Sequence, residues 1–145
     1  MTLAVREATR EDIPSLCALE NECFSLPWSE ESFGEFFDND CSRVLVAEAD
    51  GRICGYVGMY LILGEGEITN LAVSGEYRRC GVATALLDRL ASLDGVERLL
   101  LDVRVSNTAA RALYEKCGFK VDGLRRGFYS KPREDGLLMS REIEK

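Results

Sequence analysis

The run Leu71-Ala72-Val73-Ser74-Gly75-Glu76-Tyr77-Arg78-Arg79-Cys80-Gly81-Val82-Ala83-Thr84-Ala85-Leu86-Leu87 decides the fold. Its first three residues close a β-rich run, and Val82, Leu86, Leu87 and Leu90 then recur at helical spacing. A strand therefore feeds a helix through a loop that carries Arg78, Arg79 and Gly81. The first turn of a helix leaves backbone N–H groups unpaired and ends in a positive dipole, so this loop aims several donors and two guanidinium groups at one point. That combination suits a phosphate. Gly81 permits close backbone approach, Ala83 keeps the helix start clear of bulk, and Thr84 offers a hydroxyl. The Gly-Lys-Ser/Thr ending of a P-loop is missing, and one glycine stands where a dinucleotide fingerprint needs three. The competing reading is an ordinary strand-to-helix loop with two solvated arginines.

Upstream of this run, residues 2–7 alternate as a strand, and Thr9-x-x-Asp12 resembles a capping box ahead of the helical period Ile13, Leu16, Cys17, Leu19 and Glu20. Ser29, with Glu30 and Glu31 after it, starts a second short helix bearing Phe33, Phe36 and Phe37 on one face. Residues 44–49 and 53–63 are β-rich and joined by Asp50-Gly51, a pair favoured in type I′ hairpin turns because both positions need positive φ. A turn at Gly64-Glu65-Gly66 leads to the strand over 67–73. Downstream, 98–105 reads as a mostly apolar strand, 108–117 as a helix stopped by Gly118 at its C′ position, and 119–124 and 137–143 as closing strands. The predicted order is βααβββαβαββ. No repeat, low-complexity tract or Pro/Ser linker divides residues 1–145, so a single α/β domain is expected.

Composition removes much of the enzyme repertoire. The chain of 145 residues contains no histidine, which excludes Cys-His and Ser-His-Asp nucleophile pairs, histidine bases and mixed Cys/His metal sites; no metal is expected. Lys and Arg number 18 against 25 Asp and Glu, a net charge of −7, and such a balance argues against direct nucleic-acid binding and for a basic partner. The six cysteines, Cys17, Cys23, Cys41, Cys54, Cys80 and Cys117, form no C-x-x-C pair and read as reduced thiols, mostly small core residues. The start, MTLAVREATREDI, carries charge within six residues, and no apolar run approaches the roughly 18 residues of a membrane span, so a soluble cytoplasmic protein is expected.

The motif Arg78-x-x-Gly81-x-Ala83, preceded by Leu71-Ala72-Val73 and followed by Asn107, Ala110 and Leu113-Tyr114-Glu115-x-x-Gly118-Phe119, resembles the GNAT N-acetyltransferases over the whole chain. Within them it is most similar to the bacterial RimI type, the ribosomal-protein-alanine N-acetyltransferases. Pro27-Trp28-Ser29, Asp102-Val103-Arg104-x-Ser106-Asn107, Arg125-Arg126-x-x-Tyr129 and Glu134-Asp135 carry that closer likeness. The resemblance implies a mixed sheet flanked by about four helices, with strands four and five splayed around acetyl-CoA. Leu71, Ala72 and Val73 would contact the acetyl-pantetheine part, and Arg79, Cys80, Gly81, Val82, Ala83 and Thr84 the pyrophosphate, with Asn107 and Tyr114 also on the cofactor; the reading of the loop itself adds Arg78 to the cofactor-binding residues. It further implies direct transfer to the N-terminal amine of a protein, an alanine of a basic small-subunit ribosomal protein, with a bulged strand near residues 71–73 offering a backbone N–H to the developing oxyanion.

Each catalytic candidate also has a structural reading. Tyr114 lies on the helix face of Ala110 and Leu113, where a tyrosine is ordinarily a core residue; the resemblance makes it the proton donor to departing CoA thiolate. Asp102 interrupts Leu99-Leu100-Leu101, and pairing with Arg104 on the same face would explain it. The resemblance places the proton acceptor at this position, where the RimI type has glutamate, and aspartate falls roughly 1.5 Å short. A water or Glu67 on the preceding strand could cover that difference. Asn107 is equally a helix N-cap. Trp28 either packs across its loop or, with Phe24, Glu30, Glu31 and Glu35, grips a short basic peptide. Two rivals stay open: a GNAT acting on a lysine or small-molecule amine, and a non-catalytic acyl-CoA-binding module.

Overall fold

The computed structural model describes residues 2–144. Strand β1 (Leu3–Glu7) leads into helix α1 (Ile13–Cys23) and helix α2 (Glu30–Asp38). Three strands follow, β2 (Ser42–Ala49), β3 (Arg52–Ile62) and β4 (Glu65–Val73), and then helix α3 (Val82–Ala91) and strand β5 (Arg98–Arg104). Helix α4 (Thr108–Lys116) and the hairpin β6 (Lys120–Tyr129) and β7 (Glu134–Glu142) complete the chain. The predicted element order holds. The start of α2 is capped as its sequence implies, the Ser32 N–H donating to Ser29 Oγ at 3.1 Å, while the Thr9–Asp12 box, with the Thr9 N–H donating to Asp12 Oδ2 at 2.8 Å, closes the 3₁₀ turn Arg10–Asp12 that leads into α1.

The strands form one sheet in the order β1-β2-β3-β4-β5-β7-β6. Every neighbouring pair is antiparallel except β4 and β5, so the sheet is mixed. On β2, Leu45 and Ala47 point to the face covered by α3, where Val82, Leu86, Leu87 and Leu90 pack over Val57, Leu99 and Leu101. Val44 and Val46 point the other way, onto Leu16 and Leu19 of α1 and Phe33 and Phe36 of α2. A strand buried on both faces reads as a continuous apolar run, which explains Val44 to Ala47. Each fully buried leucine contributes about 1.5–3 kcal/mol through apolar surface removed from water.

The parallel pair is short. Glu65, Gly66 and Glu67 of β4 face Arg98, Leu99 and Leu100 of β5, and beyond that point the strands separate. The cause lies on the other side of β4, where Gly58 faces Asn70 while Met59 faces Ile68 and leaves Thr69 as an extra residue. A bulge of this kind bends its strand and sharpens the twist. It sits at Thr69, upstream of the expected 71–73 and opposite Gly58 of β3, where a Cβ would stand at ordinary contact distance, 3.4 Å, from both Thr69 Oγ1 and the Phe36 ring.

Other departures are local. The turn before β4 is Leu63-Gly64, with φ of 51° and 85°, so Glu65 and Gly66 belong to the strand instead of the turn. Gly66 is small for packing, since a Cβ would lie 2.6 Å from Met59 Sδ. Strands β6 and β7 extend to Tyr129 and back to Glu134. The charged, glycine-containing stretch Arg125-Arg126-Gly127 hides that extension, because an exposed edge strand has no buried face to impose alternation. The cysteines are free, but only Cys54 and Cys117 are buried; Cys17, Cys23 and Cys41 are half-buried and Cys80 is exposed, so most are not core residues. No helix among the described residues is long and apolar enough to cross a membrane.

Candidate active site

Two cavities meet at helix α4. The first opens before α3, with a volume of about 600 Å³, between the loop 77–84 and α4. Gly81 is the N-cap at φ +80°, and Arg79 two residues earlier is at +63°. The Ala85 N–H closes the first turn onto the Gly81 carbonyl at 3.0 Å. The N–H groups of Val82, Ala83 and Thr84 precede that bond and have no intrahelical partner, as at any helix start. A Cβ on Gly81 would find no heavy atom within 4 Å, so the space in front of these donors is open. Arg78, Arg79 and Lys116 surround it, and Val73, Ala110 and Leu113 form an apolar wall. Unpaired donors, three cations and an apolar slot fit the pyrophosphate and chain of acetyl-CoA.

Most of the residues expected to hold the cofactor line one or other cavity, and two do not. Val73, Arg78, Arg79, Gly81, Val82, Ala83 and Thr84 line the first cavity, although the Val82 side chain is buried in the core and only its backbone is available. Leu71, Asn107 and Tyr114 line the second. Ala72 is buried under α1 and α2, on the opposite side of β4 from Leu71 and Val73, and Cys80 points away with its thiol 3.6 Å from the Arg78 carbonyl. Lys116 had no sequence signal beyond being a cation in the last turn of a helix.

The second cavity, about 500 Å³, fills the gap between β4 and β5 and brings Asp102, Asn107 and Tyr114 together with Thr69, Trp28 and Tyr129. Burial pushes the Tyr114 phenol up to about 12, with the nearby Tyr129 and Cys117 acting in the same direction. It is held protonated at neutral pH, as a proton donor must be. Asn107 is both cap and lining: its Oδ1 accepts the Ala110 N–H at 3.2 Å. Trp28 likewise does two things, packing on Phe33 and Phe36 at 5.3 and 5.4 Å between ring centres while it walls the cavity.

Asp102 is not paired with Arg104. Arg125 Nε, from β6, stands 2.9 Å from Asp102 Oδ1, in ionic contact without an aligned N–H bond. Arg104 instead donates to Glu134 at 3.2 Å and lies over the Tyr129 ring at 4.5 Å. Residues two apart on a strand are separated by roughly 6.6 Å, so side chains from the adjoining hairpin reach each of them first. Glu67 lies in a neighbouring cavity with Leu100 and Arg98, away from Tyr114. Glu30, Glu31 and Glu35 line neither cavity. The carboxylate that sequence reasoning passed over is Glu20: it lines the second cavity although only 1% exposed. Its trace in the sequence is an acidic residue in the apolar stripe of Leu16 and Leu19.

A sheet that parts between β4 and β5, with a cradle of unpaired N–H groups and cations at one side of the opening and a carboxylate and a protonated phenol at the other, suits acyl transfer. The pattern of the acetyltransferase (GNAT) family matches residues 13–119. The ribosomal protein bS18-alanine N-acetyltransferase of Escherichia coli strain K12 is 34% identical over 149 residues, covering 98% of this chain and 97% of its own. A relative from Bacillus subtilis strain 168 is 36% identical over 140 residues, 94% of this chain and 93% of its own. The crystal structure of the ribosomal-protein-S18-alanine N-acetyltransferase from Escherichia coli superposes with a TM-score of 0.90 at 30% identity, covering 99% of this chain and 96% of that one. The chain belongs to the GNAT family and is an N-acetyltransferase.

Proposed function

We propose that this protein acetylates the α-amine of a protein N-terminus in the cytosol, with the N-terminal alanine of a basic small-subunit ribosomal protein as its acceptor. The observation that carries the reading is the placement of Asp102 and Tyr114 on one cavity in the β4–β5 gap. The names of the Escherichia coli relatives support the acceptor class. Acetyl-CoA, when bound, supplies an acyl group activated as a thioester. Arg78, Arg79 and the N–H groups of residues 82–84 hold its pyrophosphate, and Val73 and Leu113 flank its chain. Asp102 receives the proton that the attacking amine sheds, through a water where its shorter side chain does not reach. Tyr114 gives its phenolic proton to the departing thiolate.

An α-amine demands little of such a base. With a reference pKa near 8, about a tenth of it is neutral at pH 7, whereas a lysine near 10.4 is neutral to a few parts in ten thousand. The test is mass spectrometry of a panel of peptides with acetyl-CoA: free N-termini beginning Ala-Arg, N-blocked peptides with internal lysine, and spermidine. Acetylation of the Ala-Arg α-amine well above the others is expected. Preference for lysine or spermidine would replace this reading with the small-amine one, and cofactor binding without turnover on any acceptor would make the chain an acyl-CoA-binding module.

A further inference from the structure

A carboxylate taken out of water is costly unless donors surround it, and a buried one is worth tracing to the groups it organises. Glu20, on the last turns of α1, is 1% exposed. The Trp28 backbone N–H, from the loop that walls the acceptor cavity, donates to its Oε1 at 2.8 Å. The Tyr56 hydroxyl of β3 donates to Oε2, and so does Asn70 Nδ2 at 3.3 Å, next to the Thr69 bulge. These donors come from three separate segments, two of which border the gap where the acceptor enters.

The Asn70 amide shows which partner dictates its orientation. Its Oδ1 is buried and has no hydrogen-bond partner among the described residues. Turning the amide over would aim that oxygen at an acceptor-only carboxylate, so Glu20 fixes the nitrogen inward and leaves the oxygen unpaired. We propose that Glu20 is a positioning residue for the acceptor site: by holding the Trp28 loop and the Asn70 amide at once, it sets the spacing between the loop and the β4 bulge that an incoming amine must fit. This rests on the reading of that cavity as the acceptor site. It assigns Glu20 no proton transfer and no contact with the cofactor, whose cradle at Gly81 lies across α4.

A glutamine side chain at position 20 has the same shape but one acceptor oxygen and a donor nitrogen, so it cannot accept from Trp28, Tyr56 and Asn70 together. Glu20→Gln is expected to raise KM for the best acceptor in the peptide panel about tenfold or more, with the dissociation constant of acetyl-CoA changed less than about twofold. The double variant Glu20→Gln/Asn70→Asp restores a donor–acceptor pair of reversed polarity, since the amide introduced on α1 then donates to the carboxylate introduced on β4, and is expected to recover most of the acceptor KM. Asn70→Ala, at a half-buried position, serves should Glu20→Gln fold poorly, and raises acceptor KM in the same selective way. Equal changes in acceptor and cofactor affinity, or no change in either, would overturn the positioning role, as would failure of the double variant to recover. A wild-type protein that prefers lysine or spermidine would overturn the proposed acceptor while leaving this test intact with that amine.

Discussion

Tyr114 shows how a residue's surroundings assign its chemistry. The residue borders a cavity while its ring is packed against Phe119 at 5.8 Å, and the resulting desolvation favours the uncharged phenol and lifts its pKa to about 12. Raising an acid's pKa means that the proton is kept to higher pH, so no alkaline fall in kcat/KM should originate from Tyr114 below about pH 11. The rising limb near neutrality should belong to the acceptor amine and shift when the peptide's α-amine is replaced by one of different pKa. Tyr114→Phe should lower kcat about 10²-fold, with acetyl-CoA affinity by calorimetry nearly unchanged. Unchanged kcat where chemistry limits turnover would return Tyr114 to packing. Asp102→Asn should reduce the rate most below pH 7, where the amine is protonated, and least above about pH 8. A uniform loss across that range would point to Asp102 holding Arg125 in place instead of accepting a proton.

At the level of the element, helix α3 is legible from sequence because its start is written in residue types with few alternatives. The left-handed N-cap at φ +80° calls for glycine, the unpaired N–H groups call for an anion, and the apolar period of Val82, Leu86, Leu87 and Leu90 fixes its inner face. Gly81→Val should abolish acetyl-CoA binding in calorimetry and also lower stability by about 1–3 kcal/mol, because a β-branched residue at positive φ is strained. Gly81→Asn separates the two effects: asparagine tolerates this conformation yet fills the cradle, so binding should fall while Tm stays close to wild type. Wild-type binding by a folded Gly81→Asn would remove the pyrophosphate from this loop. The bulge was less legible, since it arises from how β4 pairs with β3, Gly58 facing Asn70 and Met59 facing Ile68, and not from a motif within β4 itself. Glu20 and Arg125 were hidden for the same reason. A carboxylate on a helix stripe and an arginine in a hairpin acquire their roles only from partners on other elements: Tyr56, Asn70 and the Trp28 loop for one, Asp102 for the other.

Over the whole molecule, the charge of −7 should act on the acceptor's approach more than on its chemistry. Raising ionic strength from about 0.05 to 0.5 M should increase KM for a peptide beginning Ala-Arg more than for a neutral one and leave kcat nearly unchanged. An equal response of both peptides would confine recognition to the cavity itself. The splay between β4 and β5 reaches further still. Because the gap opens to the cleft beside α4, proposed above for acetyl-CoA, and, on its other side, to the cavity under the Trp28 loop, the two reactants need not share a doorway. Neither has to leave before the other arrives, and no side chain has to carry the acetyl group between visits. Initial-rate lines at several fixed acetyl-CoA concentrations should therefore intersect instead of running parallel, and CoA should compete with acetyl-CoA without competing with the peptide.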